Sequence, residues 1–334
     1  MSKPRGIIVF GANGSGKTTF ARELARILNF RHMDIEDYCF KESEIPYAKP
    51  RAREECIILM RNDIEKYGSF VLSAVSGDFG ENITSLYDLA ILLEAPLEIR
   101  MKRIKQRSYE QFGERVREGG DMYEQEQKFF HFAAARSLAP VEQWAKRLAC
   151  PVIRVDGAED YRLTAVDAAN FYRNRFISIG LPAFPDGAEV IKRVSVRGVC
   201  VRDGKALMIK YKWPGYGFPG GGMEAGESVE ETIIRELSEE IGCKVVSVGK
   251  FLLSVTERRS SEASPGKYFE GVQLYYECQV DAESAFIPHP TQEEMEREYD
   301  GAWIDLREAL HENEPEPQRE RDVAVLRLLL EGAA

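Results

Sequence analysis

Three glutamates, Glu236, Glu239 and Glu240, recur at i, i+3 and i+4 in the segment Arg235-Glu-Leu-Ser-Glu-Glu240. On a helix turning about 100° per residue they fall within an arc of roughly 100°, while Ile233, Ile234, Leu237 and Ile241 occupy the neighbouring arc as a core-facing stripe. Like charges at these spacings repel by a few tenths of a kcal/mol per pair. A hard divalent cation, Mg²⁺ or Mn²⁺, relieves that repulsion because it prefers carboxylate oxygens and water. Ser228 and Glu231 have the spacing of a capping box that starts the helix near Val229, and Gly242 is placed to end it. A second constellation lies near the N-terminus, where Gly11-Ala-Asn13-Gly14-Ser15-Gly16-Lys17-Thr18-Thr19 follows the apolar run Ile7 to Phe10. Glycines there let successive backbone N–H groups face one anion at the start of a helix. Lys17 supplies a point charge for β and γ phosphates, and Thr18 a hydroxyl for Mg²⁺.

The elements that must position these groups differ between the two halves. Before residue 178, short apolar runs (Gly6 to Phe10, Ser69 to Val75, Leu89 to Leu93, Val152 to Val155) alternate with charged helical stretches, as in a parallel α/β sheet. In the helix after the glycine loop, Phe20, Leu24, Ile27 and Leu28 form an inward face. After residue 190, β-branched or alternating runs (Val194 to Val201, Ala206 to Tyr211, Val245 to Val255, Val272 to Val280) surround one strong helix at Val229 to Ile241, an α+β pattern. Between them, a stretch rich in Pro and Gly reads as a linker. The expected organisation is a phosphate-binding domain at 1–178, a linker at 179–189 and a second domain at 190–334. The acidic stretch from His311 to Glu320 reads as a solvated loop.

Residues 5 to 175 resemble the small P-loop kinases of the nucleoside-monophosphate and shikimate kinase kind, with G-x-x-x-x-G-K-[ST] at Gly11 to Thr18 as the specific motif. The resemblance implies ATP with Mg²⁺ in that loop. It also implies a role near metal and acceptor for Asp34 in His-Met-Asp34-Ile-Glu-Asp37, although Asp34 and Asp37 read equally as helix caps. Asp78, after the third strand, is a further candidate. Arg115 and Arg117, in the glycine-flanked stretch Phe112 to Gly120, resemble mobile lid residues that meet the nucleotide's phosphates. Arg103 and Arg107 read either as part of that lid or as a solvated helix face. Asp156-Gly157 resembles the loop bordering the adenine, or is a plain turn.

Gly221, Glu227, Arg235, Glu236, Glu239, Glu240 and Gly242 match G-x5-E-x7-R-E-U-x-E-E-x-G-U at every charged and glycine position, with Cys243 in the final aliphatic place. This resembles the Nudix hydrolases, whose fold is an α/β/α sandwich. The resemblance implies water attack on a pyrophosphate linking a nucleoside to another group, with metal held by Glu236, Glu239 and Glu240. Glu227 and Arg235 resemble the pair that braces the loop. The general base is left open between Glu240, Glu236 and a carboxylate from a later loop, Glu293, Glu294 or Glu298. Trp213 or Tyr216 is a candidate for base stacking or core packing. Arg258 and Arg259 are candidates for a distal phosphate.

The net charge of −10 is uneven: residues 1–180 hold 27 basic against 26 acidic residues, and residues 181–334 hold 18 against 29. So acidic a second half is a poor partner for long nucleic acid and fits a carboxylate-rich metal site better, and small nucleotides are the substrates that the two resemblances imply. The six cysteines form no CxxC pair and read as buried reduced thiols. No apolar run reaches the roughly 20 residues of a membrane helix, and the N-terminus lacks a secretory pattern, so a cytoplasmic location is expected. Together these readings predict a bifunctional enzyme, a Mg²⁺-dependent hydrolase joined to an ATP-dependent kinase. The alternative is a hydrolase whose P-loop domain binds ATP as a regulatory module.

Overall fold

The computed structural model describes residues 5–42, 49–185, 187–211, 214–281 and 300–331. The chain forms two compact units, which divide between Tyr172 and Arg173.

The first unit is built on a parallel sheet of five strands, β1 (Gly6–Phe10), β2 (Arg31–Asp34), β3 (Phe70–Ser73), β4 (Tyr87–Glu94) and β5 (Val152–Asp156), in the order β2-β3-β1-β4-β5. Every pairing is parallel. Helices cover a parallel sheet on both faces, so its central strands are apolar without alternation. Accordingly all five residues of β1 are buried. Ile8, Phe10, Phe70 and Leu72 join Met60, Ile83 and Val141 in one core. Phe20, Ala21, Leu24 and Ala25 bury one face of the helix Lys17–Leu28, with Ile27 and Leu28 only half-buried at its end. The central position of β1 brings the C-terminal ends of β1, β3 and β4 together at the edge where the glycine loop begins.

The second unit starts earlier than its sequence suggests. Phe176–Gly180, β6, is not part of a linker but an edge strand, pairing in parallel with Ser254 to Arg258. Arg175 Nη1 donates to Leu252 O at 3.2 Å, and the Phe176 and Phe251 rings pack 5.6 Å apart. The remaining strands are β7 (Val190–Val199), β8 (Val201–Arg202), β9 (Lys205–Lys210), β10 (Tyr216–Gly217), β11 (Gly220–Gly222), β12 (Val245–Ser260), β13 (Tyr268–Val280) and β14 (Asp300–Asp305). They form a mixed sheet, β11-β7-β13-β12-β6, and a smaller one, β10-β9-β14 with β8 on β9. Val199, Met208, Phe218, Val255, Tyr275 and Leu326 share the core of this unit.

The acidic stretch at 311–320 is not one solvated loop but the end of one helix, a 3-10 turn at Pro317–Arg319 and the start of a second helix, with Asn313 and Arg319 buried. His311 to Asn313 end the helix Leu306–Asn313, and Glu320 starts the helix Glu320–Glu331. Leu306, Ala309, Val325 and Leu326 anchor both helices in the core, where Asp322 is also buried and accepts from the Tyr275 hydroxyl at 3.2 Å. Five cysteines are buried free thiols and Cys39 is half-buried. Among the described residues no helix is long and apolar enough to cross a membrane.

Candidate active sites

The glycine loop closes against its own unit. At Gly14, φ is +79° and a Cβ would stand 2.5 Å from Arg100 O, so both conformation and space demand glycine. Arg103 fixes the loop from the neighbouring helix Leu97–Phe112. Its Nη1 donates to Ser15 O at 3.1 Å and to Gly157 O at 2.7 Å, tying the loop to the turn after β5. A cavity of about 380 Å³ opens here, lined by Asn13 through Thr19 together with Asp34, Glu36, Arg103, Arg107 and Gly157.

Inside it, Lys17 Nζ donates to Ala12 O at 2.7 Å. Burial lowers its pKa from 10.5 to about 8, against the opposing pull of Glu36 and then Asp34. Ser15 and Ser73, 0% and 1% exposed, also line this cavity, and their hydroxyls lack hydrogen-bond partners. Buried unpaired hydroxyls are costly, so the cavity is furnished for a polar occupant.

The other sequence candidates divide. Asp34 lines the cavity and caps the helix Ile35–Cys39 at once, its Oδ1 accepting from Glu36 N at 3.1 Å. Asp37 and Asp78 are not in the lining; their carbonyls accept from Arg51 and Arg53. Arg115 and Arg117 are not brought to the cavity either. Arg115 pairs with Asp121 at 2.6 Å, and Arg117 pairs with Glu114 at 2.9 Å and lies over the Tyr109 ring. Arg103 and Arg107 stand there instead, because the helix bearing them packs directly on the loop. Asp156-Gly157 forms a turn, Asp156 Oδ1 accepting from Ala158 N at 2.7 Å, and Gly157 lines the cavity. Sequence reasoning missed Glu36 and Ser73, which carry no motif.

In the second unit the capping box is complete, with Ser228 Oγ accepting from Glu231 N and Glu231 receiving Ser228 N, at the head of the helix Val229–Glu240. Ile233, Leu237 and Ile241 are buried, whereas Ile234 is 44% exposed and faces away from the core. Cys243 is buried in its aliphatic position.

Arg235 is the hub. Its Nε and Nη2 grip the two oxygens of Glu227 at 2.7 and 2.9 Å, Nη2 also reaches Gly222 O at 3.0 Å, and Nη1 donates to Glu236 at 2.9 Å and Glu239 at 3.2 Å. Glu227 further accepts from Glu224 N at 2.9 Å and from the Thr232 hydroxyl at 3.0 Å. The loop is thereby clamped to the helix, and Thr232 is a brace that no motif position marked. Glu240, 6% exposed, accepts from Gly220 N at 2.7 Å. A Cβ at Gly221 would stand in the space of the Glu236 carboxylate and displace it. Thus Glu236 and Glu239 lean on Arg235 while Glu240 turns to the backbone. Among the described residues no three acidic, His or Cys side chains form a ready cation cage in this conformation.

The clamp has a pH signature. The Arg235 guanidinium, Glu224 N–H and Thr232 hydroxyl hold the Glu227 carboxyl down from 4.5 to about 2. A carboxyl depressed on folding contributes stability that is complete above its unfolded value and is lost as pH falls through its folded value. The second unit is therefore expected to lose stability between about pH 4.5 and 2. In Glu227→Gln the slope of denaturation midpoint against pH over that window should shrink; an unchanged slope would contradict the clamp.

Tyr216 is tied to the second unit's core, its N–H donating to Asn313 Oδ1 at 2.7 Å and its side chain packed, half-buried, against the core cluster. Arg258 forms a buried pair with Glu270 at 2.9 Å, and Arg259 pairs with Glu257 at 3.3 Å over the Phe269 ring. Trp213, Glu293, Glu294 and Glu298 lie outside the described residues.

Comparison with known proteins agrees with this division. A NUDIX domain family model matches residues 192–328, and an AAA domain family model matches residues 7–126. An uncharacterized protein of Bacillus subtilis, YqaC, is 29% identical over 160 residues, covering 46% of this chain and 88% of its own. Nucleoside diphosphate-linked moiety X motif 6 of Mus musculus is 36% identical over 115 residues, 34% of this chain and 33% of that protein. An ADP-ribose pyrophosphatase of Methanocaldococcus jannaschii is 45% identical over 53 residues, 15% of this chain and 31% of that enzyme. The chain thus spans about a third of the length of the latter two. The chain carries a P-loop domain of the AAA type over residues 7–126 and, after it, a NUDIX domain over residues 192–328.

Proposed function

We propose that the NUDIX domain hydrolyses the pyrophosphate of a nucleoside diphosphate linked to a second group, and that the P-loop domain transfers a phosphoryl group from ATP to a small molecule. The Arg235 hub supports the first activity. It presents Glu236 and Glu239 beside the clamped loop, with Glu240 one turn on from Glu236. These all-oxygen donors suit Mg²⁺ or Mn²⁺ in type, with Glu236, Glu239 and Glu240 as the residues that would hold it. A bound divalent cation acidifies water and stabilises charge on the departing oxygen. Arg235 orients Glu236 and Glu239, Glu227 holds Arg235, and Glu240 fixes the strand at Gly220. Glu236 and Glu240 are the general-base candidates within the described residues.

For the second activity, Lys17, Thr18 and the loop N–H groups would take the phosphates with Mg²⁺, and Arg107 would meet charge on the transferring group. The paired unsatisfied hydroxyls of Ser15 and Ser73 in the same cavity favour a bound polyanion and its hydrated ion.

An Mg²⁺-dependent screen of nucleoside diphosphate derivatives, starting with ADP-ribose, and of small phosphoryl acceptors tests both halves on wild type, Lys17→Met and Glu239→Gln. Loss of hydrolysis in Glu239→Gln alone, with loss of transfer in Lys17→Met alone, is the expected pattern. Hydrolysis that persists in Glu239→Gln, or that needs no divalent cation, overturns the first assignment.

A further inference from the structure

A second cavity of about 310 Å³ adjoins the phosphate cavity and shares Asn13, Glu36, Ile104 and Arg107 with it. Its volume lies at the small end of small-molecule sites, roughly 300–1,000 Å³. The other walls come from Phe40, the C-terminal end of the helix Leu97–Phe112 and the helix Tyr123–Ala135. Phe40, Phe112 and Phe129 supply ring surfaces for a flat partner. Gln111 and Gln125 each bring a donor and an acceptor. Glu126 is 8% exposed and accepts from the buried Ser108 hydroxyl at 2.7 Å. Among the described lining residues two carboxylates, Glu36 and Glu126, face one cation, Arg107, while Arg136 at the cavity's edge is engaged with Asn13 Oδ1 at 3.4 Å. An acceptor that already carries a phosphate would meet those carboxylates with too few cations to compensate them.

We infer that this cavity is the acceptor site of the phosphoryl transfer proposed above, and that it takes a neutral ring-bearing alcohol of the nucleoside class rather than a nucleotide. The inference rests on that transferase reading. Glu36 borders both cavities and does more than any other charge to keep Lys17 protonated, so it stands between nucleotide and acceptor. The acceptor hydroxyl oxygen forms a bond to the γ-phosphorus. The bond from that phosphorus to the β–γ bridging oxygen breaks, and its electron pair leaves on ADP. The hydroxyl proton passes to the Glu36 carboxylate and then to solvent. Asp34 acts through Glu36, holding its backbone N–H. A nucleoside acceptor also separates the two halves chemically, because a nucleoside monophosphate released by the hydrolase would not be rephosphorylated at this site.

The test incubates the full chain with Mg²⁺ and γ-labelled ATP against a panel of ribonucleosides, deoxyribonucleosides and their 5′-monophosphates, and measures ADP binding by calorimetry. At least one nucleoside should be phosphorylated with kcat/KM about 10-fold or more above its own monophosphate, the scale of about 1.4 kcal/mol. Glu36→Gln should lower kcat about 100-fold or more with nucleoside KM within about 3-fold, as for loss of a general base. Phe129→Ala should raise nucleoside KM about 10-fold with kcat and ADP affinity retained. Gln111→Leu, at an exposed position, should likewise raise KM without touching the fold. Preference for monophosphates overturns the inference. So does label released only as inorganic phosphate by a chain that binds ADP normally, which leaves nucleotide binding intact as a reading. A wild-type chain that binds no ADP defeats the transferase reading itself, and the inference with it.

Discussion

Glu239→Gln is expected to lower Mg²⁺-dependent hydrolysis by the NUDIX domain about 100- to 1,000-fold, roughly the 2.7–4 kcal/mol that one group aligned on developing charge contributes. Of the three clustered glutamates Glu239 is the most exposed, its side chain 29% accessible, and its one resolved partner is Arg235 at 3.2 Å. Glutamine keeps the volume and an oxygen for that hydrogen bond while removing the charge, so the fold should tolerate it. The denaturation midpoint then acts as a control that moves little while kcat falls. Glu230→Gln, on the same helix and exposed, changes net charge equally and should leave hydrolysis within about 2-fold. Arg235→Ala is the contrasting variant. It strips the guanidinium from Glu227, Glu236 and Glu239 together and should cost stability as well as activity, about 3–5 kcal/mol if the freed carboxylates stay desolvated. Wild-type rates in Glu239→Gln would remove Glu239 from the chemistry.

Both motif segments, Gly11 to Thr18 and Gly221 to Cys243, were legible in the sequence because particular residue types at short local spacings define them. Gly14 needs its positive φ, Lys17 opens a helix, and Ser228 caps one three residues before Glu231. Relations between distant segments were not legible. Which arginines meet the loop depends on how the helix Leu97–Phe112 docks: the carbonyl of Arg100 abuts Gly14, which brings Arg103 and Arg107 inward and leaves Arg115 and Arg117 to local ion pairs. The strand Phe176–Gly180 was hidden for a similar reason. Five residues beside a Pro- and Gly-rich stretch have little periodicity, and their stability comes from parallel pairing with Ser254 to Arg258, some 78 positions later. The converging carboxylates were half legible. Helix geometry places their Cα atoms on one arc, but the directions of the side chains are decided by Arg235 and Gly220 N–H, which periodicity does not report.

Lys17→Met should produce two changes of opposite sign in the P-loop domain. Burial has lowered the Lys17 pKa to about 8, so keeping an ammonium there at neutral pH is unfavourable to the folded state, and among the described residues Ala12 O is its one hydrogen-bond acceptor. Methionine keeps the stem and removes the charge. The ligand-free thermal midpoint of this domain should therefore hold or rise. Nucleotide binding should move the other way. An ammonium lost from the phosphates removes about 1.5–3 kcal/mol of charged hydrogen bonding, roughly 10- to 150-fold in affinity, so the shift in midpoint that ADP gives the wild type should nearly vanish. Phosphoryl transfer should fall further than ADP affinity, because negative charge on the transferring group and leaving oxygen grows on the way to the transition state. Hydrolysis by the NUDIX domain in the same variant separates the two readings of the N-terminal half. If the P-loop domain is a kinase, hydrolysis stays at the wild-type rate with and without ATP. If it is a regulatory module, wild-type hydrolysis responds to ATP, Lys17→Met abolishes that response, and no phosphorylated acceptor accumulates in either protein.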